Sequence, residues 1–472
     1  VPPHPRDETL TESPGGASQP LARPEPYLVV VLECERPLSG SSRHALRGVD
    51  LVTLGRGDDR AASRDGRTLR VALPSKWMSG EHARISSRGG VWHVEDVGSR
   101  NGTRVNGATV AHAALSDGDV IEVGHTLLVF REALHGPTRT LPDLDTRTAS
   151  FPAPGLATLL PALACEVEAL VRIAASPVPV LLRGETGTGK ELVARAVHAL
   201  SGRSGAFVPV NCGAIPATLM ESQLFGHAKG AFSGALRDEP GFVRSAASGS
   251  LFLDEIGDLP AASQAALLRV LQEGEVVPVG STRAVAVDLR VIAATHQPLE
   301  ALVARGAFRT DLLARLDGFT YTLPPLRERR EDVGLLVASL LRTILPDPAA
   351  RFELAAEVGR ALVAYPWPLN IRELYHCLAR GVALARDGVL EPSHLPRAVA
   401  AAASAPSVAL DPADVAGPVQ EREDARLREQ LEALLTQHDG NVAEVARTMG
   451  KARMQLHRWM KRFAIDPKRY RR

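Results

Sequence analysis

Val178-Pro179-Val180-Leu181-Leu182-Arg183 followed by Gly184-Glu185-Thr186-Gly187-Thr188-Gly189-Lys190, and then a helical pattern to Ser201, decide the fold. The order is apolar strand, glycine loop, helix. Glycines let backbone N–H groups turn inward around phosphate oxygens, and the helix N-terminus adds positive potential. Lys190 is placed to reach the β- and γ-phosphates of a nucleotide. Glu191 follows it where Ser or Thr is usual. An ordinary glycine turn is the alternative, and it would need neither the strand before nor the helix after.

Further apolar runs at residues 207–210, 251–253 and 289–294 alternate with helical patterns, which predicts a parallel α/β sheet. Ser250-Leu251-Phe252-Leu253-Asp254-Glu255 is an apolar strand that ends in two carboxylates. Such a pair is costly without a cation to hold. Asp254 is the expected Mg²⁺ ligand, and Glu255 is placed to polarise an attacking water. ATP hydrolysis also needs positive charge at the γ-phosphate. Arg309 and Arg315, six apart on an expected helix, are candidates; a solvated surface charge is the alternative for either one.

The whole chain sets bounds on these motifs. A length of 472 residues suggests about three domains. It is 45% hydrophobic and 23% charged, with formal net charge +1, so no global field selects a partner. Cys34, Cys165, Cys212 and Cys377 lack metal-type spacing and read as free thiols in a reducing cytosol. No apolar run approaches the roughly eighteen residues of a membrane span, so a cytoplasmic protein without a membrane partner is expected. Residues 1–26 read as a disordered, proline-rich tail. Short β-type runs over 27–134, punctuated by Gly, Asp and Asn, predict an all-β sandwich. Residues 135–156 and 397–418 read as linkers on either side of the α/β region.

Residues 419–472 predict an all-α helix-turn-helix. Leu427, Leu431, Leu434 and Leu435 form one stripe, a second helix runs from Asn441 to Met449, and Gly450 breaks it. A third places Leu456, Trp459, Met460 and Phe463 on one face, with Arg453, Gln455, His457, Arg458 and Lys461 opposite. Residues 447–472 hold ten Lys/Arg against one acid, Asp466. That face suits phosphate contacts, with Arg453, Gln455, His457 and Arg458 placed to read base edges. A basic solvated helix is the alternative.

Several motifs occur together in one order: residues 186–191, Glu221-Ser222-Gln223-Leu224-Phe225-Gly226-His227, Gly230-Ala231-Phe232-Ser233-Gly234-Ala235, residues 251–256, Leu323-Pro324-Pro325-Leu326-Arg327-Glu328-Arg329, and Tyr365-Pro366-Trp367-Pro368. About 240 residues thus resemble the AAA+ central domain of bacterial sigma-54-dependent transcriptional activators. The resemblance implies an α/β ATPase subdomain at 157–325 and a helical lid at 326–396. By position, Asn211 resembles the switch residue that restrains Glu255. Arg309 and Arg315 resemble arginine fingers given to a neighbour's ATP, which implies a head-to-tail ring, a hexamer by family. His296 falls at a nucleotide sensor and Arg372 at the lid arginine. Phe232 and Ser233 lie at the tip of the loop that contacts sigma-54. This chain has Ser233 where Thr is usual, His296 where Asn is usual, and Leu369 where Gly is usual.

Gly55-Arg56, Ser79-Gly80-Glu81-His82 and Gly98-Ser99-Arg100-Asn101-Gly102-Thr103 resemble a forkhead-associated (FHA) domain. The resemblance implies phosphothreonine recognition, for which Arg56, Ser79, Arg100 and Asn101 supply donors; His82 is expected to be a brace. Gly80 stands where an arginine is usual. The C-terminal segment resembles a Fis-type domain, which implies dimers on enhancer DNA.

These resemblances together imply a sigma-54-dependent activator with sigma-54 RNA polymerase, enhancer DNA and a threonine-phosphorylated protein or Ser/Thr kinase as partners. Two alternatives stand beside it. One is a phospho-dependent DNA-binding regulator whose ATPase is weak or decoupled. The other is an AAA+ remodeller of a different target.

Overall fold

The computed structural model describes residues 25–134, 143–347 and 351–403. The expected tail lies outside these, apart from its last two residues, and so does the helix-turn-helix with Arg453, Gln455, His457, Arg458 and Lys461. All described residues belong to one packed unit.

The N-terminal region is a two-sheet sandwich. One sheet has the order Leu144–Asp145, Ser42–Ala45, Glu25–Glu33, Thr126–Leu134, Val120–Val123, Thr103–Val105, Ala108–Val110. The other runs His112–Ala114, Val91–Asp96, Ala83–Arg88, Leu51–Arg56, Thr68–Leu73, Ala61–Asp65. Leu28, Val30, Leu128 and Phe130 face the second sheet and pack with Leu54, Val71 and Ile85. A half-buried antiparallel strand alternates apolar and polar residues. Here Leu28-Val29-Val30-Val31-Leu32 is apolar throughout and fully buried, because its other face is covered as well.

The cover is the lid. Val29, Val31, Leu127 and Val129 share one hydrophobic core with Val333, Val337, Val358, Leu362 and Trp367. The approach is close enough to require glycine. A Cβ at Gly334 would collide with the Val31 carbonyl, and one at Gly359 with the Cys34 sulfur. Leu354 N–H donates to the Cys34 carbonyl at 2.7 Å, joining backbone to backbone across the junction.

Residues 143–149, expected to be linker, are held against the sandwich. Arg60 is buried and bonded to Glu33 at 2.7 Å and to Asp145 at 2.8 Å. Arg147 closes the same cluster on Asp145 and Asp59. Burial pushes Asp145 up, but hydrogen bonds from Arg60 and Arg147 outweigh it and hold the carboxyl at about 2. The lid also continues past its expected end at 396, since Arg397–Ala401 is helical and Val399 enters the shared core.

The ATPase region has five parallel strands in the order Phe207–Asn211, Ser250–Asp254, Arg290–Thr295, Val180–Arg183, Phe319–Thr322. The first strand in sequence therefore sits inside the sheet, and its carboxyl end opens at a switch in strand order, where α/β sheets bind ligands. Phe319–Thr322 was not anticipated from sequence; it is short and only Tyr321 is buried. Arg290 is buried at the base of its strand, where it donates to the carbonyls of Ile173 and Ala174 and closes the end of the Pro161–Ala174 helix.

Candidate nucleotide site and phosphate-binding loops

Three carboxyl strand ends converge. Gly184–Gly189 follow the Val180–Arg183 strand, Asp254 and Glu255 end the Ser250–Asp254 strand, and His296 follows the Arg290–Thr295 strand. Gly187 (φ 81°) and Gly189 (φ 100°) take left-handed turns open to glycine. Lys190 begins the helix and is nearly buried. Its Nζ donates to the carbonyls of Gly184 at 2.9 Å and Glu185 at 3.2 Å. Burial holds Lys190 below the usual ammonium range, and burial with Glu255 beside it raises Asp254 above the usual carboxylate range. Each charged form is disfavoured in the site as it stands. A phosphate would relieve the first and a cation the second, so the residues fit a nucleotide with a divalent ion.

The lid grips this loop. Ile371 and Arg372 donate their N–H groups to the Gly187 carbonyl at 2.9 and 3.3 Å. Asn370, at φ 57°, bonds the Thr186 carbonyl at 3.0 Å and Glu185 at 3.1 Å, and accepts Leu326 N–H at 2.8 Å. Arg327 bridges to Glu185 at 2.6 and 2.8 Å. Arg372 stands exposed beside Gly187. Leu369 has φ −103° and is 55% exposed, so the conformation at that position does not require glycine.

Glu255 is held at φ 53°, a left-handed conformation that costs about 1 kcal/mol for a non-glycine residue. One of its oxygens accepts the His296 ring N–H at 2.6 Å and the His296 backbone N–H at 3.3 Å. Asn211 is not joined to it: its Oδ1 accepts from Gly213 and Ala214 at 3.0 and 3.1 Å. Glu191 pairs with Arg195 on the helix surface at 2.6 Å. Arg309 precedes and Arg315 lies within the Thr310–Leu316 helix; both are exposed, Arg309 pairing with Asp311 at 2.7 Å and Arg315 approaching only the Leu271 carbonyl. Neither has a described bond to the phosphate loop of its own chain.

Sequence reading missed a cavity of about 560 Å³ beside Thr188 and Gly189, with apolar and polar walls. Leu192, Val193, Leu336, Ile371 and residues 151–155 line it. These residues come from distant segments and form no motif together, so nothing in the sequence marked them.

Residues 230–235 form a tight projection. Gly230 N–H donates to the Ala235 carbonyl at 2.9 Å, and Ala235 N–H to the Phe232 carbonyl at 3.0 Å. Phe232 is 43% exposed, with its ring 4.9 Å from that of His227. Leu236 beside it is more exposed still.

At the sandwich's loop end, Arg56, Arg100 and Asn101 are exposed. Ser79 Oγ accepts Arg100 N–H at 3.3 Å, and Asn101 donates to the Trp77 carbonyl at 2.6 Å. His82 is buried and bridges Ser79 N–H at 3.2 Å to the Gly102 carbonyl at 3.1 Å, a brace between the loops. This end adjoins the lid. Trp77 stacks on His125 at 4.6 Å; the His125 carbonyl accepts Cys34 N–H; and Cys34 bonds Leu354 of the lid. Lys76 lies 3.4 Å from Glu35 and 3.8 Å from Glu353 of the lid.

Comparison with known proteins agrees with this division. Residues 159–322 match the Sigma-54 interaction domain, residues 327–410 an AAA+ ATPase lid domain and residues 52–124 an FHA domain. The hydrogenase transcriptional regulatory protein HoxA of Cupriavidus necator is 44% identical over 313 residues, 64% of either chain. The response regulator PilR of Pseudomonas aeruginosa is 48% identical over 237 residues, 49% of this chain and 53% of PilR. The chain thus spans about half to under two thirds of the length of these relatives. NtrX of Brucella abortus, solved with ATP, is 32% identical over 64% of this chain and 68% of its own, with a TM-score of 0.48. Among the described residues no helix is long and apolar enough to cross a membrane. The chain therefore joins an FHA domain to a sigma-54 interaction domain of the AAA+ class and its lid.

Proposed function

We propose that the chain is a transcriptional activator that hydrolyses ATP to remodel sigma-54 RNA polymerase, under the control of phosphothreonine recognition. The observation that carries this reading is Phe232, exposed on a glycine-bounded loop of the same domain that brings Lys190, Asp254 and Glu255 together. An exposed aromatic on a rigid projection is a contact point, not a core element.

In this reading Lys190 and the loop N–H groups hold the phosphates, and the cavity beside Gly189 takes the base. Among the described residues no three His, Cys, Asp or Glu converge as a metal cage. Mg²⁺ at Asp254 would take its remaining ligands from phosphate and water. Glu255 orients the attacking water, and Arg309 and Arg315 of a neighbouring copy neutralise charge in a homo-oligomeric ring. Arg372 follows nucleotide state from the lid. Arg56, Ser79, Arg100 and Asn101 hold a phosphothreonine. The core shared by sandwich and lid supports a coupling of that event to the nucleotide loop. The basic C-terminal segment tethers the ring to enhancer DNA through Arg453, Gln455, His457, Arg458 and Lys461.

One observation favours the second reading, a DNA-binding regulator with a weak ATPase: the Glu255 carboxylate is already engaged by His296. Steady-state ATPase against a Glu255→Gln control separates the two. Turnover well above the control supports the first reading, and turnover equal to it supports the second.

A further inference from the structure

Glu255 lies between two strand ends. Asn211 pairs with Asp254 on one side, and His296 follows the strand paired on the other. The carboxylate is held on the His296 side alone, by a ring N–H at 2.6 Å and a backbone N–H at 3.3 Å on the same oxygen. An ionised carboxylate only accepts, so His296 carries its proton on Nδ1. Asn211 turns its Oδ1 to the N–H groups of Gly213 and Ala214, and no described bond joins it to Glu255.

A carboxylate that polarises water must aim a free lone pair at that water. Two donors from His296 draw Glu255 toward the Arg290–Thr295 strand and occupy one of its oxygens. We infer that His296 is a latch: a positioning residue that holds Glu255 out of the hydrolytic geometry until the ring meets its target. The inference rests on the ATPase reading given above.

The latch is easily released. The His296 side chain is 44% exposed, so its ring swings without breaking a packed core. It lines a cavity of about 730 Å³ that also reaches Gly184 and Glu185. Arg131 and Leu134 of the FHA sandwich also line that cavity. A shift of the sandwich against the ATPase would therefore change the space into which the ring swings.

Two measurements on the full chain test the latch. In nucleotide-free protein labelled with ¹⁵N-histidine, one ring N–H signal should vanish in His296→Ala and move or broaden in Glu255→Gln. A signal indifferent to Glu255→Gln overturns the pairing. In steady-state ATPase without polymerase, His296→Ala should raise kcat about tenfold, the loss of one charge-assisted hydrogen bond, with KM for ATP unchanged. His296→Gln, which keeps a donor, should return toward the wild-type rate. A fall or no change in kcat overturns the latch. If every protein turns over only at the Glu255→Gln background, the ATPase reading fails, and the ring signal still decides the pairing.

Discussion

Arg360 of the lid donates one guanidinium nitrogen to both oxygens of Glu122 of the sandwich, at 2.7 and 2.9 Å. Both side chains are largely withdrawn from water, at 13% and 9% exposed. Breaking such a pair from one side leaves a buried charge without a partner, a loss of about 3 kcal/mol. Arg360→Ala should therefore lower the urea midpoint clearly. Removing both charges with Arg360→Met and Glu122→Gln should be milder. Equal losses in the single and double variants would show that the pair does not hold the junction.

Gly359 gives a steric version of the same test. Its missing Cβ is the space taken by the Cys34 sulfur, with Leu127 at 3.0 Å. Gly359→Val should push sandwich and lid apart at a cost of about 1–3 kcal/mol. Limited proteolysis should then release the sandwich sooner than in wild type. An unchanged digestion pattern would count against the shared core.

The junction was partly legible in the sequence. Leu28-Val29-Val30-Val31-Leu32 and Leu127-Leu128-Val129-Phe130 do not alternate as one-sided antiparallel strands do. Only burial on two faces explains them, although nothing in the pattern names the partner. The phosphate loop, the strand ending in Asp254 and Glu255, and the brace at His82 were readable because glycine turns and paired carboxylates carry fixed chemistry. What escaped were pairings between distant segments. Asp145 looked like linker because its partner Arg60 lies 85 residues earlier. The resemblance implied a bond from Asn211 to Glu255; the described bond to that carboxylate comes from His296, since both residues flank the same strand end and sequence cannot show which bond forms.

Gly80 offers a gain of function at the proposed phosphothreonine site. A Cβ there meets nothing within 4 Å, and the backbone is not left-handed. Gly80→Arg should add a charged donor and tighten binding of a phosphothreonine peptide pool by about tenfold or more. Arg100→Ala should weaken it by a similar factor. Fluorescence anisotropy against the unphosphorylated pool reads both. Equal binding of the two pools would refute phosphate recognition.

Asp145 predicts a pH signature. Its carboxyl is held at about 2, below its ordinary 3.8, by Arg60 and Arg147 against the opposing effect of burial. A depressed carboxylate contributes stability that is present above its unfolded pKa and lost as pH falls through the folded one. Asp145→Asn should thus cost about 1–2 kcal/mol at pH 7. Between about pH 4 and 2 the gap to wild type should close. Thermal midpoints across that range check it, and a gap that stays constant with pH would remove the ion pair from the account.

In the proposed function, ATP-driven movement of the Phe232 loop remodels sigma-54 polymerase. Open-complex formation on a sigma-54 promoter, compared between wild type and Phe232→Ala with ATPase measured in the same samples, tests it most directly. Phe232→Ala should keep its ATPase and form no open complex. Open complexes at the wild-type level from Phe232→Ala would contradict it.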